Sequence, residues 1–212
     1  MTNVATWART GLAAQVVFLA AWLLAGLWQG PRYDPLRHTI SDMYAVGAPH
    51  GWFLVGCITL AGAGTVLFAL LGVRPALRQA GWPATVGALL LAVSILGLGD
   101  LLTPFEREGC RLADPGCTAA AQVANSGGRL DAILSGFGVL FLIACGFFLA
   151  EAMKRLPGWR TLAWPARWSS IALIVLATLN ASPVGGLFER LLAAAAALAV
   201  AGLALAVVRR AT

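Results

Sequence analysis

Charged residues are scarce in this sequence: Asp, Glu, Lys and Arg make up 11% of 212 residues, less than half of the roughly 25% usual in soluble domains. Hydrophobic residues reach 59%, and the mean hydropathy is +0.81. A single soluble core at this length cannot hide so much apolar surface. A disordered chain, a coiled coil, a disulfide-stapled secreted module and an ordinary cytosolic enzyme are all excluded. Histidine is nearly absent, with two in the chain. Neither H-E-x-x-H nor a three-histidine cluster occurs, so zinc hydrolysis has no support. G-x-S-x-G and Walker motifs are missing as well, and neither a metal nor a cofactor is expected. The net charge of +6 would point to nucleic acid in a soluble protein. Here it reads first as membrane topology, and no nucleic-acid partner is expected.

What the chain does have is long apolar runs. Six of them, at about 8–29, 51–73, 82–103, 129–150, 164–182 and 187–208, reach the roughly 20 residues a helix needs to span a bilayer. The expectation is an all-α, polytopic bundle of six transmembrane helices, one domain over residues 1–212, in the cell membrane. The first run is too long, and too well stocked with Trp22 and Trp28, for a cleaved signal peptide. Trp7, Trp28, Trp52, Trp82, Trp159, Trp164 and Trp168 all fall at run ends, as an interfacial aromatic belt requires. The Ala/Leu-rich stretch from Leu191 to Val207 suits close helix packing through small residues.

Orientation follows from the charges. With the N-terminus inside, nine basic side chains lie on the inner side: Arg9, Arg74, Arg78, Lys154, Arg155, Arg160, Arg167, Arg209 and Arg210. Six lie outside. The positive-inside rule then puts both termini in the cytoplasm. The acids are more lopsided, with Glu151 inside and the other eight outside, together with His38 and His50. Nearly everything capable of proton chemistry is gathered on one face, where the loops at about 30–50 and 104–128 are long enough to be functional.

Cys57 and Cys145 sit in the middle of runs and read as small buried hydrophobes. Cys110 and Cys117 share an outer loop, E-G-C-R-L-A-D-P-G-C. On an oxidising side, with no further ligands nearby, a disulfide is the natural reading, ahead of a redox pair or a metal site. The bridge is expected to pin a loop over the polar ends of helices 3 and 4.

The densest polar segment is Y-D-P-L-R-H-T-I-S-D-M-Y, Tyr33 to Tyr44. If Leu36 to Tyr44 is helical, His38 and Asp42 share one face at i and i+4, with Ser41 beside them. Asp100 ends the third run in G-L-G-D-L-L-T-P-F, and Asp131 opens the fourth in G-G-R-L-D-A-I-L-S. Ionisable groups at membrane depth are costly and default to functional candidates with a partner. The bland alternatives are a helix-dipole role for Asp131 and a loop-tying role for Asp42 through Arg37 or Arg129. Asp34, Glu106, Glu108 and Asp114 read as solvated loop charges, and His50 as an interfacial residue at a helix start. The midplane positions of most runs are Ala, Leu, Val and Gly rather than the polar, helix-breaking residues of a proton-coupled transporter. Trp28, Tyr33, Tyr44, Trp52, Phe105 and Phe137 are candidates to surround an apolar cavity with an acidic outer rim.

These residues carry a resemblance. H-T-I-S-D-M-Y after the first helix, the Asp100 helix end and the cysteine loop leading into G-G-R-L-D resemble the bacterial six-helix family known as domain of unknown function 998. Where many members have a histidine at the start of the fourth helix, this chain has Arg129 and Asp131. More loosely, in size, helix count, Ala/Arg/Gly/Leu richness and acidic-plus-aromatic content, the chain is similar to actinobacterial membrane-bound terpene cyclases of the drimentine type. That similarity implies protonation-initiated cyclisation of a prenylated substrate, such as a farnesylated indole, taken from the bilayer. It casts Asp42 as proton donor, His38 and Ser41 as its tuners, Asp100 or Asp131 as partner or terminating base, and the aromatics with Arg129 as substrate contacts. Buried against apolar walls, a carboxylic acid keeps its proton, and aromatic faces stabilise a migrating cation in a dry cavity. The competing expectation is a non-catalytic lipid- or partner-binding membrane protein, or a small transporter, whose acids only tie the outer loops together.

Overall fold

The computed structural model of the protein describes residues 4–211; residues 1–3 and Thr212, at the chain ends assigned to the cytoplasm by charge, lie outside the described residues. Helices dominate, and no strand occurs among the described residues. Six helices are long and apolar enough to cross a membrane: α1 (Val4–Trp28), α2 (Gly51–Ala76), α3 (Trp82–Phe105), α4 (Ser126–Lys154), α5 (Pro157–Leu179) and α6 (Gly185–Ala211). The expected runs recur with shifted ends. The largest shift is in α5, which begins at Pro157 because that proline opens a tight turn feeding directly into the helix.

Each helix packs on the next, and α6 packs back on α1, so the six close into a ring. Lipid gives no hydrophobic drive between helices, so close contact relies on small residues. A Cβ on Gly64 of α2 would press on Ala14 of α1, and one on Gly87 of α3 would meet Leu149 of α4. The outer surface stays apolar: Trp52 and Trp82 are exposed at helix starts, where an interfacial belt belongs, whereas Trp164 and Trp168, expected at a helix end, are exposed within α5 because that helix begins earlier, at Pro157.

Two features depart from plain apolar runs. Deep between α1 and α2, the buried Gln15 side-chain amide donates to Thr65 Oγ1 at 2.9 Å, and that hydroxyl donates to the Ala61 carbonyl. In addition, α3 is interrupted at Ser94, whose ψ of 175° is extended rather than helical. Its hydroxyl donates to the Leu91 carbonyl at 2.8 Å, and the Gly97 and Gly99 N–H groups turn back onto the Ser94 carbonyl. Wide helical turns then carry the chain from Ile95 to Gly99. Gly138 of α4 lies against the break, where a Cβ would strike the Ile95 backbone. Interrupted spans survive only where neighbours satisfy the freed groups; here a serine and two glycines do so locally.

Cys110 and Cys117 form a disulfide, with Cα atoms 6.0 Å apart. The loop it closes lies against the end of α1 and the Ser41–Met43 turn. Arg111 reaches the Gln29 carbonyl at 3.1 Å, and the Leu112 and Ala113 N–H groups bond to Asp42. A closed loop this short is worth at most about 3 kcal/mol. Replacing both cysteines by alanine should therefore lower the unfolding midpoint in detergent while leaving an assembled six-helix bundle, and mass spectrometry of non-reduced wild-type protein should show no free thiol at either position.

Candidate functional site

The ring of helices holds a cavity of about 880 Å³ in the half that carries the long loops 29–50 and 106–125, the half expected from charge to face outward, within the roughly 300–1,000 Å³ typical of small-molecule sites. All six helices contribute. The floor and walls are apolar, built by Phe18, Ile58, Ile95, Leu96, Leu173 and Leu192. Ile133, Phe137 and Leu140 of α4 line the cavity and are exposed, so the wall along α4 is open sideways, at a depth where lipid lies. At the outer end the lining turns acidic, with Asp100, Glu108, Asp131 and Glu189 accompanied by Thr39, Ser41, Tyr44 and Asn180. No Arg, Lys or His lines it. Among the described residues, no three His, Cys, Asp or Glu side chains are grouped to hold a metal ion.

Each acid is aimed by a distinct local device. Gly62 of α2 lies against the backbone of Asp100 and Leu101, where any Cβ would collide, and the Ser94 interruption sets the rotation of the last turns of α3. The side chain of Asp100 is 7% exposed and has no hydrogen-bond partner among the described residues. Asp131 is set by the start of α4. Asn125 caps that helix, accepting from the Gly128 N–H at 2.7 Å and donating to the Arg107 carbonyl at 3.1 Å. A Cβ on Gly127 would hit the Arg107 carbonyl, and one on Gly128 the Gln122 carbonyl, so G-G in G-G-R-L-D lets the loop sit on the helix end. α4 thus starts at Ser126 and Asp131 falls in its second turn, too deep for a first-turn dipole role. Its carboxylate accepts from Tyr44 Oη at 3.3 Å. On α6, Glu189 accepts from the Ile40 N–H at 3.0 Å, and its other oxygen is buried without a partner.

The outer loops roof the cavity. Arg107 donates to the Tyr44 and Ala45 carbonyls at 2.8 and 2.9 Å and covers the Trp52 ring at 4.5 Å. Glu108 accepts from Ser41 Oγ at 3.2 Å and from Gln122 Nε2 at 2.7 Å. Arg190 donates to the Pro35 and His38 carbonyls and to Tyr33 Oη.

The segment from Leu36 to Tyr44 is not a helix. Asp34 Oδ1 takes the Leu36 N–H into a tight turn, Thr39 Oγ1 takes that of Asp42, and only Ser41–Met43 winds, as a short 3₁₀ turn. His38 and Asp42 therefore share no helical face. His38 Nδ1 accepts from the Asp34 N–H at 2.9 Å, and its ring lies on Tyr33. Ser41 turns to Glu108 rather than Asp42. Asp42 is fully buried but outside the cavity lining, with one oxygen on the Leu112 N–H at 2.5 Å and the other on that of Ala113 at 3.4 Å. It ties loops through main chain, with neither Arg37 nor Arg129; Arg37 pairs with Asp34, and Arg129 is exposed.

Of the aromatic candidates, Tyr44 and Phe137 line the cavity. Trp28 packs on His50 and Phe53 at the edge of the bundle, Tyr33 lies under Arg190, and Trp52 and Phe105 point outward. His50, left-handed at φ 51°, opens α2 as expected of a helix-start residue.

The expectation for Glu106 and Glu108 is overturned. Both are buried, at 2% and 8% exposure, because the roof folds them inward, whereas Asp34 and Asp114 keep their side chains half exposed. Burial, with Asp131 nearby adding to it, pushes each of these glutamates up to about 8. Burial and Asp131 likewise drive Tyr44 far above its ordinary range. Asp42 is raised by burial against the opposing pull of its two N–H donors. Glu189, Glu106 and Glu108 were not singled out as site residues from sequence; an acid inside the apolar α6 run was the one available signal.

Glu106 and Glu108 hold protons in the folded protein that the unfolded chain releases above its ordinary value of 4.5. Their stabilisation is complete below that value and is lost as the pH climbs towards about 8. The melting temperature in detergent should therefore fall from pH 5 to pH 9, and Glu108→Gln should flatten the decline. A flat or rising wild-type profile would contradict this electrostatic picture.

No curated protein and no solved structure matches the chain. One family model does, over residues 12–206, and with nearly the whole bundle covered, the chain belongs to the family described as "protein of unknown function (DUF998)".

Proposed function

We propose that the protein is a membrane-embedded isomerase that cyclises a lipophilic isoprenoid, such as a farnesylated indole, by protonating it. The observation that carries this reading is Asp100, a carboxyl group without a hydrogen-bond partner among the described residues, where the apolar walls of a cavity open along α4 meet its acidic end. An unpaired carboxylate there is costly, and the neutral acid is the form that can donate. Asp100 would give its proton to an alkene carbon near the head of the chain. The cation would pass to a second alkene by carbon–carbon bond formation, and Asp131, held by Tyr44, would take a proton from the final cation. Substrate and product then have the same composition, and the proton returns from Asp131 to Asp100 through solvent or the neighbouring acids. Phe137 and Tyr44 offer ring faces to the cation. The donor role expected of Asp42 moves to Asp100, because Asp42 spends both oxygens on the roof and does not face the cavity.

Purified protein given farnesylated indoles should yield cyclic isomers of unchanged mass. Asp100→Asn should cut the rate by at least about 100-fold, the usual loss of a general acid, with normal assembly in detergent. Asp131→Asn should do likewise, and Asp34→Asn should change little. Full turnover in both Asp100→Asn and Asp131→Asn would end the protonation reading. Absence of turnover and of binding for every isoprenoid tried would end the isoprenoid reading itself.

The basic residues at the inner helix ends support the proposed orientation, with cytoplasmic termini and the roof outside. A cysteine at Arg32 should react with an impermeant maleimide in intact cells, while one at Arg78 should react only after lysis; the reverse pattern would invert the topology.

A further inference from the structure

The acidic cavity has a neighbour deeper in the bundle. A second cavity, of about 310 Å³, lies in the other half of the bundle between α4, α5 and α6, with Leu91 of α3 also in its wall. Its walls are apolar or small, and its two hydroxyls are already used within α5: Ser169 donates to the Pro165 carbonyl and Ser170 to that of Ala166. Leu142, Leu173 and Ala196 line both cavities, so the two meet at a collar with one side chain from each of three helices. Along α4 the combined lining runs from Asp131 to Met153. At about 1.5 Å per residue that is about 33 Å, close to the roughly 30 Å of a bilayer's hydrocarbon core.

We propose that the two cavities form one groove for a single long isoprenoid chain. Its reactive end sits at Asp100 and Asp131, and its tail passes the collar into the inner half of the bundle, so that the collar and the inner cavity set the chain length the protein prefers. The identity of the reactive end rests on the proposed function; the length preference rests on the cavities alone. A phospholipid fits less well, because four carboxyl groups and no cation meet at the outer end, where a phosphate would sit. One polar end and one continuous apolar passage match a single linear prenyl tail, with its methyl branches, on an uncharged head.

Two glycines make the test clean. Gly136 lines the outer cavity and Gly202 the inner one, and a Cβ at either meets nothing within 4 Å. Protein in nanodiscs is titrated with farnesol and with an all-trans polyprenol of nine isoprene units, and bound alcohol is read by native mass spectrometry. Wild type should hold the long alcohol at least about tenfold more tightly, since the longer tail packs against the walls of both cavities, and in a bilayer such packing rather than transfer from water supplies the gain. Gly202→Phe should abolish that advantage and leave farnesol within about twofold of wild type, whereas Gly136→Phe should weaken both. If Gly202→Phe aggregates, Ser169→Phe fills the same inner cavity from α5. Equal affinity of wild type for both alcohols would overturn the inference. So would equal loss of both in Gly202→Phe, or a phospholipid in the groove that neither alcohol displaces. Asp100→Asn should keep the length preference, so a failed cyclase reading leaves this result standing. Turnover without any length preference would remove only the inference.

Discussion

Two charged side chains hold the outer face of this protein together by bonding to main chain across loops. Asp42 collects the Leu112 and Ala113 N–H groups, and Arg107 supplies the Tyr44 and Ala45 carbonyls. Loops that cover a bundle at the edge of a bilayer lose water that would otherwise satisfy their backbone, and each unpaired group costs on the order of 1–3 kcal/mol. Charged partners give stronger bonds than neutral ones, so one carboxylate and one guanidinium close much of the roof. Without that closure Glu106 and Glu108 would return to water, the outer end of the cavity would flood, and a carboxyl group in its wall would behave as it does in solution.

The helices were legible in the sequence because spanning a membrane imposes a length and a composition that local residues announce. The six runs and the Cys110–Cys117 bridge follow from such local marks; Trp164 and Trp168 mislead, because the α5 helix starts before them, at Pro157. Asp100 and Asp131 were also recognisable as acids at membrane depth, and both line the cavity. The polar loop from Tyr33 to Tyr44 was misread because its helical spacing competes with stronger local chemistry. Asp34 and Thr39 capture nearby N–H groups and break the segment into turns. The burial of Glu106 and Glu108 was not legible at all, since it depends on partners up to 67 residues away, Ser41 among them. The interruption at Ser94 was equally hidden, because a serine between two apolar stretches looks ordinary until Gly138 is seen to make room for it.

The gathering of acids has a physical logic beyond topology. Four carboxyl groups face one space with no cation among its lining residues, an arrangement that favours protons over anions and disfavours phosphate-bearing ligands. The inner half of the bundle is its opposite, with apolar walls and hydroxyls already bonded within their own helix. Such a gradient from protic to inert suits a ligand that is chemically active at one end and plain hydrocarbon along the rest.

The contact between Gly62 and the backbone of Asp100 and Leu101 separates two things that most binding sites entangle. Where the backbone of Asp100 sits is fixed by backbone against backbone, with no side chain as intermediary. How wide the cavity is depends on replaceable apolar groups such as Ile95, Phe137 and Leu140. Substitutions among the latter can therefore resize the chamber without moving the residue that bears the acid, so the width of the site and the placement of its carboxyl group can vary independently.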